Sequence, residues 1–253
     1  MNYTKEQVIN LLNKASDKGF VNINGSVSDI FDDNPDLSEL ELNEDMFKLS
    51  HEVFKGLSYY IDLKSVFNVT TLNELTQNII SISEEFYTNE DIIEMYTTGG
   101  EDEEESIKNK IKGDLFEIFA EIFFKLTSSD DRVGVTDYTS VRGSDDYGVD
   151  GYGIGQNGKP CTIQVKFRSN PTKKLTIKDL KNFQGLSYCK YNVDPADDNN
   201  LIVFSNSDDV HWSTETRVME SKVKNLCRNQ VSRLINNNTS FWKNLSKVIE
   251  YNN

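Results

Sequence analysis

The run GVDGYGIGQNGKPCTIQVKFR, residues 148–168, restricts the backbone more than any other stretch of this 253-residue chain. In its second half apolar and polar side chains alternate. An extended strand there sends Ile163, Val165 and Phe167 to one face and Gln164, Lys166 and Arg168 to the other. Upstream, Asn157-Gly158 is a tight-turn pair, and before it a short glycine-rich segment carries Asp150. The spacing predicts a hairpin that brings an acid, an amide and a lysine together across two strands. An edge strand with a wet face would show the same alternation.

The sequence around this hairpin predicts a mixed α/β core. Strands are expected near 133–141, 147–154, 160–168 and 201–205. A helix at 176–190 between the last two makes a β-α-β crossover, hence at least one parallel pair. A long amphipathic helix is expected from Ser106 to Lys125, with further helices at 213–236 and 239–250. The first hundred residues read as short helices, near 44–60, 71–83 and 84–96. Thr71 with Glu74 forms a capping-box pattern, as Thr4 with Gln7 does ahead of Val8. Gly99-Gly100 and the acidic run Glu101–Glu105 read as a linker. Two domains are therefore expected: an acidic all-helical one over 1–100 and an α/β one over 106–253.

Composition narrows the setting. Apolar runs such as Ile122-Phe123-Phe124 fall far short of the ~20 residues of a membrane span. The start MNYTKEQ has no apolar leader, and Cys161, Cys189 and Cys227 show no CxxC spacing. A cytoplasmic protein without membrane partners, disulfides or zinc is expected. The net charge of −14 is unevenly spread. Residues 1–105 hold 6 Lys and no Arg against 23 Asp or Glu, whereas residues 159–190 hold 8 Lys or Arg against one Asp. Residues 211–247 add 7 basic against 2 acidic. Basic charge that begins at the hairpin and continues after it suits a polyanion track, with Arg168, Lys173, Lys174, Lys178 and Lys181 as phosphate contacts and Gln184 as a base-edge or packing residue. Ordinary solvated helix faces are the plain alternative.

The residue types at the hairpin suit a divalent cation with oxygen ligands and several waters: a carboxylate, an amide oxygen and a main-chain carbonyl. Other chemistries are disfavoured. His51 and His211 are the only histidines, and no phosphate-binding loop, dinucleotide fingerprint or serine-hydrolase elbow occurs.

Three elements, in order, resemble the PD-(D/E)xK nucleases and, within them, the Mrr-like restriction endonucleases with an acid followed by QxK. Gly113-Asp114-Leu115-Phe116-Glu117 is similar to the family's G-x-x-F-E helix. Gly148-Val149-Asp150-Gly151 is similar to its G-x-D-G strand, and Ile163-Gln164-Val165-Lys166 to its I-Q-x-K strand. The helix and strand that follow, through Leu201–Ser205, continue the likeness, which covers about Gly113 to Asn206. It implies a restriction-endonuclease-like mixed sheet flanked by helices, which the acidic helical domain would precede by the reading above, and a Mg²⁺-dependent DNA endonuclease in which Mn²⁺ substitutes. Asp150, Gln164, the Val165 carbonyl and Glu117 would be metal ligands, and Lys166 would act on the attacking water and the growing phosphate charge. Gln in place of the usual acid removes one negative charge, which favours one essential metal.

Each residue keeps a plainer reading. Asp150 is also a turn former between glycines, Lys166 also a snorkelling strand lysine, and Glu117 also part of an acidic helix stripe with Glu121 as its substitute. Asp145 and Asp146 read as loop acids, with assistance to the metal as the alternative. Paired cuts would call for a homodimer. The tail Val231–Ile235 with Phe241-Trp242 resembles the segment after helicase-attached nuclease domains, which makes a helicase or other protein partner an alternative, as is an inactive DNA- or protein-binding module on the same fold. Residues 1–100 are expected to compete for the basic track or to bind a partner, and Asp150→Ala or Lys166→Ala to abolish cleavage with folding intact.

Overall fold

The computed structural model describes residues 47–49, 53–97, 104–141, 148–180, 182–194, 197–212, 220 and 222–253. Four helices, α1 (Val53–Tyr60), α2 (Leu63–Val66), α3 (Leu72–Phe86) and α4 (Glu90–Tyr96), lead to the long helix α5 (Glu104–Leu126). Strands β1 (Val135–Ser140), β2 (Gly151–Gly155) and β3 (Pro160–Lys166) follow, then β4 (Leu175–Thr176), a 3₁₀ turn at Ile177–Leu180 and helix α6 (Phe183–Tyr191). The chain continues through β5 (Leu201–Ser205), β6 (Val210–His211) and β7 (Val223–Leu226), and ends with helices α7 (Arg228–Ile235) and α8 (Thr239–Asn252). The architecture is mixed α/β: a five-stranded sheet in the order β1-β2-β3-β5-β7, flanked by helices, with a two-stranded ribbon β4-β6 beside it.

The hairpin forms as its sequence predicts. Gly151 pairs with Ile163 and Ile154 with Pro160 in antiparallel register. The turn is closed by Gly155 N donating to Lys159 O at 2.8 Å, and Gly158 supplies the positive φ of 72° that an L side chain resists. The crossover makes β3 and β5 parallel, with Gln164 opposite Val203 and Lys166 opposite Ser205. Two expectations need correction. The helix expected at 176–190 begins only at Phe183. Asp179 accepts hydrogen bonds from Thr176 N at 2.7 Å and Thr176 Oγ1 at 2.9 Å, which winds the preceding residues into a tight turn. The helix expected at 213–236 contains a strand, since β7 takes the open edge of β5 with Leu201 opposite Val223. In Val-Lys-Asn-Leu the apolar residues fall three apart, which fits a helix turn as well as the two ends of a short strand; the unpaired edge decides.

One face of the sheet is sealed by α5. Phe204 of β5 lies among Phe116, Phe123 and Phe124 at centroid distances of 5.5, 4.9 and 5.3 Å. Trp242 of α8 stacks on Phe119 at 6.3 Å and donates from Nε1 to Ile235 O at 2.7 Å. Burial of each such ring contributes about 2–3 kcal/mol. Val231, Leu234, Ile235, Phe241 and Trp242 are all buried, so the apolar tail is accounted for within the fold.

The helices on both sides of residue 100 share this core. Leu72, Leu75 and Ile79 of α3 are buried against α5 and α7. Leu72 N donates to Asn236 Oδ1 at 2.9 Å, and Asn237 N to Thr70 O at 2.9 Å. Thr71 and Glu74 form the expected capping box. All described residues fall within one compact unit, Glu41–Asn253, so a border drawn near residue 100 on composition does not separate two cores among them. The helix expected after Thr4 lies outside the described residues. Among the described residues no helix is long and apolar enough to cross a membrane.

Gly151 sits under the Tyr138 ring, and a Cβ there would fall 2.4 Å from Tyr138 Cε2. That ring cannot retreat, because it stacks on Phe124 at 4.8 Å and 16°. Gly151→Ala is predicted to destabilise the fold by roughly 1–3 kcal/mol in urea unfolding. An unchanged midpoint and slope would mean that the ring moves aside.

Candidate active site

A central strand buried on both faces has little room for polar side chains. β3 is third of five, and Cys161 through Val165 are all buried, which removes the edge-strand reading of its alternation. Gln164 is only 3% exposed, and its Oε1 is buried with no hydrogen-bond partner. An unpaired buried acceptor costs about 1–3 kcal/mol, so this amide is either a flaw in the core or a ligand group.

Asp150 closes the fork between β2 and β3. Its N–H donates to Ile163 O at 2.9 Å and its carbonyl accepts from Val141 N at 2.9 Å. Its carboxylate Oδ2 accepts from Val165 N at 2.6 Å, a bond that joins the acid to the peptide linking Gln164 and Val165. At 4% exposure this is not a solvent-facing turn residue. Gly148 makes the approach feasible. Its φ of 108° suits glycine, and a Cβ there would stand 3.0 Å from Gln164 Nε2. Strand alternation puts Lys166, half-buried at the end of β3, on the same face as Gln164, and its carbonyl accepts from Ser205 Oγ at 2.6 Å.

Helix α5 carries two carboxylates of interest, and the cavity that one of them lines includes neither Asp150 nor Gln164. Glu121 is fully buried, with Lys125 Nζ at 3.1 Å, whereas Glu117 is half-buried. Glu117 lines a cavity of about 530 Å³ together with Tyr96, Asn109, Lys110, Gly113 and Asp114. The buried Tyr138 phenol reports on all the acids. Burial, then the charges of Glu121, Asp150 and Glu117, hold its pKa well above the usual value, so it remains a proton donor at neutral pH. Glu121, Asp150 and Glu117 thus lie within electrostatic reach of one phenol. Tyr138 carries no sequence signal of this role, since an aromatic in a strand is ordinary. Among the described residues no group of three or more His, Cys, Asp or Glu is arranged to hold a metal, so an ion here would depend on the Gln164 amide and a main-chain carbonyl.

The expected basic track is divided. Arg168 is hydrogen-bonded to Asp179, and its backbone exchanges bonds of 2.7 and 2.8 Å with the Asn206 side chain, so it anchors the crossover. Lys174 pairs with Asp209 at 3.2 Å. Lys173 and Lys178 are exposed and form no ion pair among the described residues, while Gln184 is half-buried on α6. Lys181, Asp145, Asp146 and His51 lie outside the described residues; His211 is exposed on β6. Burial pushes the Cys161 and Cys227 thiols up to about 12, which leaves both protonated and unsuited to nucleophilic work. No family model matches the chain, and a search of curated proteins finds no match.

Two outcomes follow from these contacts. Gln164→Leu removes the unpaired acceptor and retains the volume, so metal-free stability should stay level or rise by about 1 kcal/mol; a fall of 2 kcal/mol or more would make Gln164 a structural residue. Burial pushes the Asp179 carboxyl up, but bonds from Thr176 and Arg168 outweigh it and leave the folded pKa lowered. Its stabilisation is therefore full above the ordinary carboxylate range and disappears as pH falls below about 4. Asp179→Asn should flatten that acid limb of the stability–pH curve, which parallel urea titrations at pH 3 to 7 would measure.

Proposed function

We propose that this chain is a Mg²⁺-dependent DNA endonuclease with a PD-(D/E)xK, Mrr-like centre on a restriction-endonuclease-like sheet. One observation carries the reading: a buried carboxylate is bonded to the peptide that follows Gln164, whose own buried amide oxygen has no partner. Asp150, Gln164 through Oε1 and the Val165 carbonyl would hold the cation, with Glu117 adding a carboxylate from α5 and Glu121 beside it. Bound there, Mg²⁺ or Mn²⁺ would act as a Lewis acid on the phosphate and lower the pKa of an attacking water.

The chain's own groups define the rest. The bond from Val165 N fixes the Asp150 carboxylate before any ligand arrives, so little reorganisation is needed. Lys166, two residues beyond Gln164 on the same face, offers positive charge to the phosphate oxygens as negative charge grows on them. Lys173 and Lys178 would position the backbone of the duplex without reading bases. Residues 1–100 would modulate access through their negative charge, and paired cuts would require a second copy. The free thiols fit a cytoplasmic setting. A second reading, a DNA-binding module without catalysis, is favoured by the lack of a three-carboxylate group among the described residues.

Asp150→Ala would leave the Val165 N–H unpaired, so Asp150→Asn is the cleaner variant. Asp150→Asn and Lys166→Ala should each reduce Mg²⁺-dependent cleavage of plasmid and linear duplex by about 100-fold to 1,000-fold with the far-UV spectrum unchanged. Wild-type activity that persists in EDTA, or full activity in both variants, would overturn the nuclease reading. Metal-independent binding without cleavage by the wild type would select the second one.

A further inference from the structure

A polar cavity of about 420 Å³ opens at the far end of the sheet from Asp150, where β2 has ended and β3, β5 and β7 begin. Gly134, Gln156, Asn157, Asp198, Asn200 and Lys224 are among the residues that line it. The hairpin turn, the turn ahead of β5, the start of β7 and the residue before β1 thus supply its walls.

Two of these side chains lack the partners that their burial calls for. Asn200 is 2% exposed, and its Nδ2 is buried and donates to nothing. Lys224 is half-buried and has no carboxylate within ion-pair distance among the described residues. The nearby acid is already committed: Asp130 receives Arg132 through Nε at 2.9 Å and Nη2 at 2.6 Å. Burial lowers the Lys224 pKa, and the charge of Asp130 only partly offsets this. The missing side chain of Gly134 leaves the space beside the ammonium open, since a Cβ there would come within 3.1 Å of Lys224 Nζ. Asp198 pairs with Lys222 at 2.6 Å and is 66% exposed, so that partner and solvent weaken its repulsion of an anion in the cavity.

We infer that this cavity binds a small ligand through an anionic oxygen group, a phosphate or a carboxylate, held by Lys224 Nζ and Asn200 Nδ2. A half-buried ammonium and an amide donor without a partner, on two residues that line the same cavity, form a charge-assisted pair for such oxygens, and the ligand supplies the acceptors that the protein does not. Gln156 and Asn157 add amides that recognise a polar body attached to the anionic group. The site is independent of the nuclease reading, because none of its residues belongs to the candidate metal centre.

The test is amide NMR of the full-length chain in EDTA, titrated with inorganic phosphate, uridine monophosphate or acetate against chloride at constant ionic strength. Saturable shifts confined to the 134, 155–158, 198–200 and 222–225 backbone are expected with at least one probe. Phosphate and the nucleotide without acetate identify a phosphate ligand, and a response to acetate identifies a carboxylate. Lys224→Met should weaken binding about tenfold or more, and Asn200→Leu, which replaces an unpaired amide at equal size, should do so without loss of stability. No saturable shift with any probe, or equal affinity in both variants, overturns the inference.

Discussion

β3 is covered on both faces, and this constraint sets the terms for every polar atom near it. Water cannot satisfy Thr162 or Gln164 there. Thr162 Oγ1 is satisfied by a 2.7 Å bond with Ser187 Oγ of α6, which ties the crossover helix to the strand. The Val165 N–H is taken by the Asp150 carboxylate in place of a main-chain acceptor, and the fork between β2 and β3 is the result. Gln164 Oε1 is left over, at the point where the strands part.

Two layers hold that fork in position. The phenylalanine cluster of α5 around Phe204 fixes β5, and the parallel ladder transmits this to β3. On the outer side Tyr138, pinned by Phe124, covers Gly151 and sets the depth of β2 beneath α5. The same helix presents Glu117 and Glu121 within electrostatic reach of that phenol. Packing and the proposed chemistry therefore share one scaffold: aromatic contacts hold α5 against the sheet, so that Glu117, Glu121 and Asp150, just ahead of β2, all act on the Tyr138 phenol.

The two ends of the sheet differ in sign. At the fork end the buried Asp150 carboxylate and the unpaired Gln164 oxygen are the groups to which the proposed cation is assigned. At the hairpin-turn end a half-buried ammonium and an unpaired amide donor call for an anion. Both sites arise where strands begin or end, since main-chain pairing leaves no such gaps in mid-sheet.

The sequence alone determined much of this: period-2 alternation and Asn-Gly gave the hairpin, the apolar strand–helix–strand order gave a parallel pair, and Thr71 with Glu74 gave a helix start. These depend on local geometry that a few consecutive residues specify. Tertiary structure decided the rest. The strand status of 223–226 depends on an open edge supplied by β5. That the helices before residue 100 join the core of the sheet follows from which apolar faces meet, which composition does not encode. Asp150 and Gln164 could be named from spacing. Their burial, the bond to Val165 N and the unpaired oxygen required the fold, because each depends on what lies across a strand or above a sheet and not on the neighbours along the chain.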